Sequence, residues 1–174
     1  MAAAQRLRQG IHALLAFTCA VDYTLAEHYL SPQHLDLFRQ MQRSEQLHGL
    51  NVLRVVLAQE ATTPDDLAIA ALLHDVGKIR YPLPVWSKSL AVLVRALMPR
   101  RFWRWSEETS ANPLKRGCMV MAQHPIWGAE LVGSTGVSER VTWLIAHHDE
   151  TLDRWEDHPD FLLLRRLQNA DNVN

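Results

Sequence analysis

The sequence is short of the residues that staple a chain or carry it across a membrane. Its only two cysteines, Cys19 and Cys118, form no C-x-x-C pair. That argues against a disulfide framework and against a thiolate zinc site, and it suits a reducing cytoplasm. No stretch approaches the roughly 20 uninterrupted apolar residues that a spanning helix needs. The opening "MAAAQRLRQGIHALLAF" has two arginines, but its apolar run is broken by His12 and no cleavage site follows, so it reads as an amphipathic helix rather than a secretory leader. Alternating strand patterns and internal repeats are absent. Net charge is nearly absent too: a formal −1 over 174 residues argues against a global polyanion binder. Acids are scarce in one place. Between Lys78 and Arg116 nine Lys or Arg face only Glu107 and Glu108, whereas "DETLDRWEDHPD", 149–160, carries six acids and one Arg. The first region suits an anion; the second reads as a solvated loop.

What is present is helical periodicity, in a chain that is 48% hydrophobic and of a length for one domain. The fold class expected is all-α. One long helix is expected over 32–59, where Leu35, Phe38, Met41, Leu47, Leu50, Leu53 and Val56 recur at three- or four-residue steps apart from a polar gap at 42–46. "TTPDDLAIAALLHDV" predicts a helix capped by Thr63, with Pro64 at its first position, acids in its first turn and Gly77 as its stop. Further helices are expected over about 3–16, 21–30, 87–98, 118–133, 137–149 and 159–172. Two connections, 80–86 and 98–117, read as loops; the second, polar and Pro-containing, reads as a lid or a locally disordered segment.

Nine histidines are many for this length. His12, His28, His34 and His158 read as structural. Others fall with carboxylates at the ends or on the inner faces of separate helices: His48, then the pair His74-Asp75, His124, the pair His147-His148, and Asp171. A site between facing helices can gather such groups around one point. Neutral imidazoles and carboxylates suit Fe, Mn, Zn, Co or Ni, and Asp75 has two oxygens with which to bridge two ions. A pair of bridged ions activates water and neutralises phosphate charge.

The order H, HD, H, HH, D, with "LLHDVGKI" and "HPIWGAELV" as its best pieces, resembles the HD superfamily of metal-dependent phosphohydrolases over residues 44–172. Within it the pattern is most similar to HD-GYP-like domains. The resemblance implies a helical bundle with two divalent transition-metal ions. One ion would take His48, His74, Asp75 and Asp171; the other would share Asp75 and add His124 and His147. Lys78 matches the lysine of the family's H-D-x-G-K motif, which contacts the substrate phosphate or supports the bridging aspartate, so Asp75 and Lys78 are the expected catalytic residues. His148 is left with three possible roles: ligand, substrate contact or supporting hydrogen bond. Residues 1–43 would be an N-terminal extension and 80–117 an insertion. Two departures stand out. The cyclic di-GMP phosphodiesterases carry E-x-x-D-G-x-G-Y-P after the double histidine where this chain reads "HHDETLDRWEDHPD", and Ser44 stands where trimetal members have a glutamate.

The expected activity is hydrolysis of a phosphoester or phosphoanhydride in a phosphorylated small molecule or nucleotide. A di-iron oxygenase on the same ligands and a non-catalytic nucleotide-binding or signalling module are the alternatives. For "WSKSLAVLVRALMPRRFWRW", 86–105, the first reading is a helix packed over the core. A second has Arg100, Arg101 and Arg104 gripping substrate phosphates, as guanidinium forks do. Peripheral contact with anionic lipid is the third and least favoured.

Overall fold

The computed structural model describes residues 20–108 and 110–173. They form α-helices and short 3-10 turns with no strand among them: α1 Tyr23–Tyr29, α2 Pro32–Gln40, α3 Arg43–Gln59, α4 Asp65–Leu73, α5 Val85–Leu97, α6 Pro99–Ser106, α7 Pro113–Gly133, α8 Glu139–His147 and α9 Phe161–Val173. The all-α class holds. The helix expected over 3–16 lies outside the described residues. No helix among those described is long and apolar enough to cross a membrane.

α4 organises the rest. Six of its nine residues, Leu67, Ala68, Ala70, Ala71, Leu72 and Leu73, are fully buried, so it is apolar nearly all round and must be wrapped. α3, α8 and α9 enclose it and contribute Leu50, Leu53, Val56, Leu144, Ile145, Leu164 and Leu167 to one continuous core. Each such side chain contributes about 1.5–3 kcal/mol by leaving water. Gly49 brings α3 against α4: a Cβ there would lie 2.8 Å from the Leu72 carbonyl oxygen. That contact sets His48 beside His74. α7 packs on α8 and on the 3-10 turn Val76–Arg80, and α5 with α6 packs on α7 around a smaller core of Ala91, Val94, Phe102 and Cys118.

Several boundaries differ from the periodicity, each for a physical reason. The long helix expected over 32–59 is two, because Met41 and Gln42 are extended. Gln42 opens α3, with its N–H donating to the Glu45 carboxylate at 3.0 Å. The amide of Gln46 meanwhile reaches the freed carbonyls of Phe38, Arg39 and Met41 at 3.0–3.1 Å, closing the end of α2. α4 begins one residue later than expected, after Pro64, while the Thr63 hydroxyl bonds the Val56 carbonyl instead of capping. Gly77 does not stop α4, which has already ended at Leu73. It lies in the 3-10 turn, and a Cβ there would collide with the His124 carbonyl oxygen and sit 2.6 Å from the Gly128 nitrogen. Its small size lets the turn press against α7. The 98–117 stretch is largely helical rather than a loop: Phe102 and Ser106, one turn apart, face inward from α6, and α7 starts at Pro113.

Candidate metal centre

Three histidines reach the centre from places where a helix is interrupted, and each interruption supplies a free carbonyl. His74 follows the last residue of α4, and its Nδ1 donates to the Ala71 carbonyl at 3.0 Å. His148 follows α8 in the same way and donates to Ile145 at 2.8 Å. His124 lies inside α7, where the preceding turn would ordinarily have no spare acceptor. Pro125 creates one, since a proline has no N–H for the carbonyl four residues back. That carbonyl is Met121, and His124 Nδ1 lies 3.0 Å from it and 3.1 Å from Val120. With Nδ1–H donating, a neutral imidazole carries its lone pair on Nε2, and all three Nε2 atoms point inward.

Those lone pairs converge on carboxylates without protons to share. His124 Nε2 lies 3.2 Å from His148 Nε2 and 3.2 Å from Asp75 Oδ1. His74 Nε2 is buried with no hydrogen-bond partner among the described residues, 3.8 Å from Asp75 Oδ2 and 3.7 Å from Asp171 Oδ1. Facing acceptors repel one another, and a cation between them removes the repulsion. The donor set of imidazole nitrogens and carboxylate oxygens fits a divalent transition metal. Two groups of potential ligands emerge, His48 with His74 and Asp75, and Asp75 with His124 and His148. Asp75 belongs to both.

The electrostatics favour neutral imidazoles at His74, His124 and His148 and ionised carboxylates at Asp75 and Asp171. Burial pushes His74, His124 and His148 below the ordinary histidine pKa, with Lys78 adding to the effect at His124 and His74 adding to it at His148. Burial would raise Asp75, but Lys78, His74 and the contact with His124 outweigh it and hold the carboxyl well below its usual range. Lys78 Nζ sits 2.6 Å from Asp75 Oδ1. Burial opposes charge on Lys78 too, and Asp75 and Glu45 overcome it, leaving the ammonium pKa raised. Asp171 is likewise lowered despite burial, chiefly by the 2.7 Å hydrogen bond from His48, whose own pKa that bond raises against burial.

His48, His74, Asp75, Lys78, His124 and Asp171 are therefore brought together across the whole described chain. Of the histidine pair, it is His148 that faces the centre. His147 packs against Trp155, with ring centroids 4.1 Å apart and planes tilted by 47°, and its Nδ1 pairs with Glu150 at 3.1 Å. Arg100 and Arg101 are exposed on α6 and join no hydrogen bond or ion pair with the cluster. The cation of that segment that comes beside it is Arg95, 2.7 Å from Asp149. Glu45 and Lys88 were not foreseen: Glu45 is buried one turn before His48, and Lys88 reaches it at 2.6 Å and Gln42 at 2.8 Å. Three-residue spacing from His48 is the signal that could have found Glu45. Beside the cluster opens a cleft of about 200 Å³ lined by His148, Asp149, Glu150, Gln168, Asp171 and Asn172.

Comparison with curated proteins and with solved structures found no match. A family profile described as "HD domain" matches residues 37–174, a span holding all the converging groups. With its His74-Asp75 pair at the centre of an all-helical fold and the profile covering most of its length, the chain belongs to the HD domain family.

Proposed function

We propose that the chain is a metal-dependent phosphohydrolase with a dinuclear centre. His48, His74, Asp75 and Asp171 hold one ion, and Asp75, His124 and His148 hold the other. The single observation that carries this reading is the sharing of Asp75 between two groups of converging potential ligand atoms. His148 takes the place first assigned to His147 because its Nε2 faces Asp75 and His124, whereas His147 is engaged by Glu150 and Trp155.

Bound divalent ions would supply Lewis acidity and a water of lowered pKa for attack on phosphorus. The protein's own contribution is orientation and charge. Asp149, Glu150 and Asp171 line the cleft and would repel a phosphate from the metal-free site. Lys78, 2.6 Å from Asp75 Oδ1, holds that carboxylate ionised and would offer positive charge to an incoming phosphoryl oxygen. Gln168 ties the cleft's edge, its amide donating to the Glu150 carbonyl at 2.8 Å and the His147 carbonyl at 3.3 Å.

The substrate class is a phosphoester or phosphoanhydride of a nucleotide or other small molecule. An HD-GYP-like origin without the cyclic-dinucleotide loop rests on "HPIWGAELV" and on the acidic run after the double histidine. Residues 44–172 are read as the metal-binding core and 80–117 as an insertion in it. The buried, free Cys118 suits a reducing, cytoplasmic setting.

The test is elemental analysis of tag-free protein beside His74→Ala and His124→Ala, followed by a phosphoester and nucleotide panel with and without oxygen. About two ions per chain, fewer in both variants, together with phosphate release, is the expected result. Absence of metal under replete conditions would overturn the proposal. Iron-dependent oxygen uptake without phosphate release would reassign the same ligands to oxygenase chemistry.

A further inference from the structure

α5 carries two apolar stripes, and the fold covers one. Ala91 and Val94, at 1–2% exposure, close the smaller core with Phe102 and Cys118. About 100° around the helix, Trp86, Leu93 and Leu97 are 56%, 47% and 69% exposed, and Met98 and Trp103, at 38% and 56%, continue the surface across the turn into α6. Large apolar side chains exposed together on one face mark an interaction surface. Beside this stripe stand Arg100, Arg101 and Arg104, all exposed; among the described residues none has a carboxylate within 4 Å, although Arg104 lies near enough to Glu108 to help lower its pKa. The other two cations of the segment point elsewhere, Lys88 to Glu45 and Arg95 to Asp149. Between residues 86 and 105 there is no acid.

We propose that the α5–α6 hairpin rests on an anionic lipid surface, with Leu93 and Leu97 entering the acyl boundary, Trp86 and Trp103 at headgroup depth, and Arg100, Arg101 and Arg104 on the lipid phosphates. Charge complementarity selects this occupant. A second copy of the same face brings arginine to arginine, and of the two carboxylates at its edge, Glu107 and Glu108, the latter is already held by Lys115 at 2.6 Å. Residues 1–19 contain Arg6 and Arg8 and no acid, so that segment cannot neutralise the face. Nucleic acid would satisfy the arginines and leave the leucines in water. An anionic bilayer satisfies both halves at once: apolar side chains enter its boundary, indoles settle at its interface and guanidinium groups meet its phosphates. The same α5 that carries the outer stripe holds Asp149, the neighbour of His148, through Arg95. The docked face and the cleft thus share one helix.

The test is co-sedimentation of the full chain with vesicles of phosphatidylcholine alone and of phosphatidylcholine mixed with phosphatidylserine, read alongside tryptophan emission. Binding to the anionic vesicles only, with a blue shift and weakening in salt, is the expected result. Combined Arg100→Gln, Arg101→Gln and Arg104→Gln should lower partitioning on the order of a hundredfold, since each basic side chain at such a surface contributes about a fivefold factor. Leu93→Ser with Leu97→Ser should abolish the blue shift, and both variants should keep the helical circular dichroism of the parent. The proposal is overturned by failure to bind anionic vesicles, by equal binding to neutral ones, or by binding that survives the arginine changes. It is equally overturned by a concentration-dependent dimer that ignores vesicles and dissociates on Leu93→Ser with Leu97→Ser, or by an acidic protein that binds the face while vesicles do not.

Discussion

Replacing Pro125 by alanine should strengthen the fold and weaken the site. Pro125 is buried inside α7, where a proline costs about 3 kcal/mol relative to alanine in helix propensity and lost hydrogen bonding. Truncation removes two ring methylenes from the interior, at about 0.8 kcal/mol each. The balance is a gain of about 1 kcal/mol for the metal-free protein, or a melting temperature higher by about 2–4 °C for a chain of this size. The new N–H of residue 125 would claim the Met121 carbonyl that now lies 3.0 Å from His124 Nδ1. His124 would keep Val120 at 3.1 Å, an acceptor already engaged by the helix. Loss of an orienting partner behind a ligating histidine costs about 10- to 100-fold in metal affinity, and the surviving contact places this case near tenfold. Thermal melts of chelated protein and competitive titration with a metal indicator measure the two halves separately. Raised stability with unchanged affinity would refute the idea that proline exists here to free an acceptor.

His148→Ala should remove one ion from the centre while His147→Ala leaves the metal content intact, as elemental analysis will show; the reverse outcome would restore the assignment read from sequence. Lys78→Met leaves the Asp75 carboxylate without its 2.6 Å partner and should destabilise metal-free protein by about 1–3 kcal/mol, with a smaller loss after metal loading. A melt that falls equally in both forms would count against Lys78 and metal sharing that carboxylate. Metal-free protein should also lose stability on acidification from pH 7.5 to 5. His74, His124 and His148 lie below their unfolded value of 6.5, so the unfolded chain binds more protons as pH falls through that value. His48, with its raised pKa, works the other way, its contribution complete below 6.5 and lost as pH rises. Denaturant titrations across this range should show the three outweighing the one. Gly77→Ala drives a methyl into the backbone of α7 and should cost about 1–3 kcal/mol or prevent folding, visible as a lowered melting temperature.

The helical class and the ordered ligand types were legible because both are local properties. Apolar spacing declares a helix, and histidine or aspartate at the end of an apolar run stands out against it. The choice between His147 and His148 was not legible. Neighbouring residues at a helix end point about 100° apart, and which one faces inward depends on how α8 lies against α7, which neither helix's own sequence records. The break at Met41 was written in the polar gap it interrupts, where Gln42 and Glu45 form the cap and Gln46 receives the carbonyls of α2. α6 was hidden by its arginines: only Phe102 and Ser106 face inward, too few for a periodic signal. The use of Gly77 could not be read from its neighbours either, because the atoms it must clear belong to residues some fifty positions away.

Seen as a landscape, the meeting of His124 and His148 at 3.2 Å is a point of conflict that the rest of the fold is strong enough to impose. Substituting a hydrocarbon for either imidazole would relax it. Selection for heat resistance alone, in the absence of metal, should therefore work inward toward these two positions and erase the centre while improving the scaffold. Keeping them as histidines costs the empty protein stability that a bound ion would return.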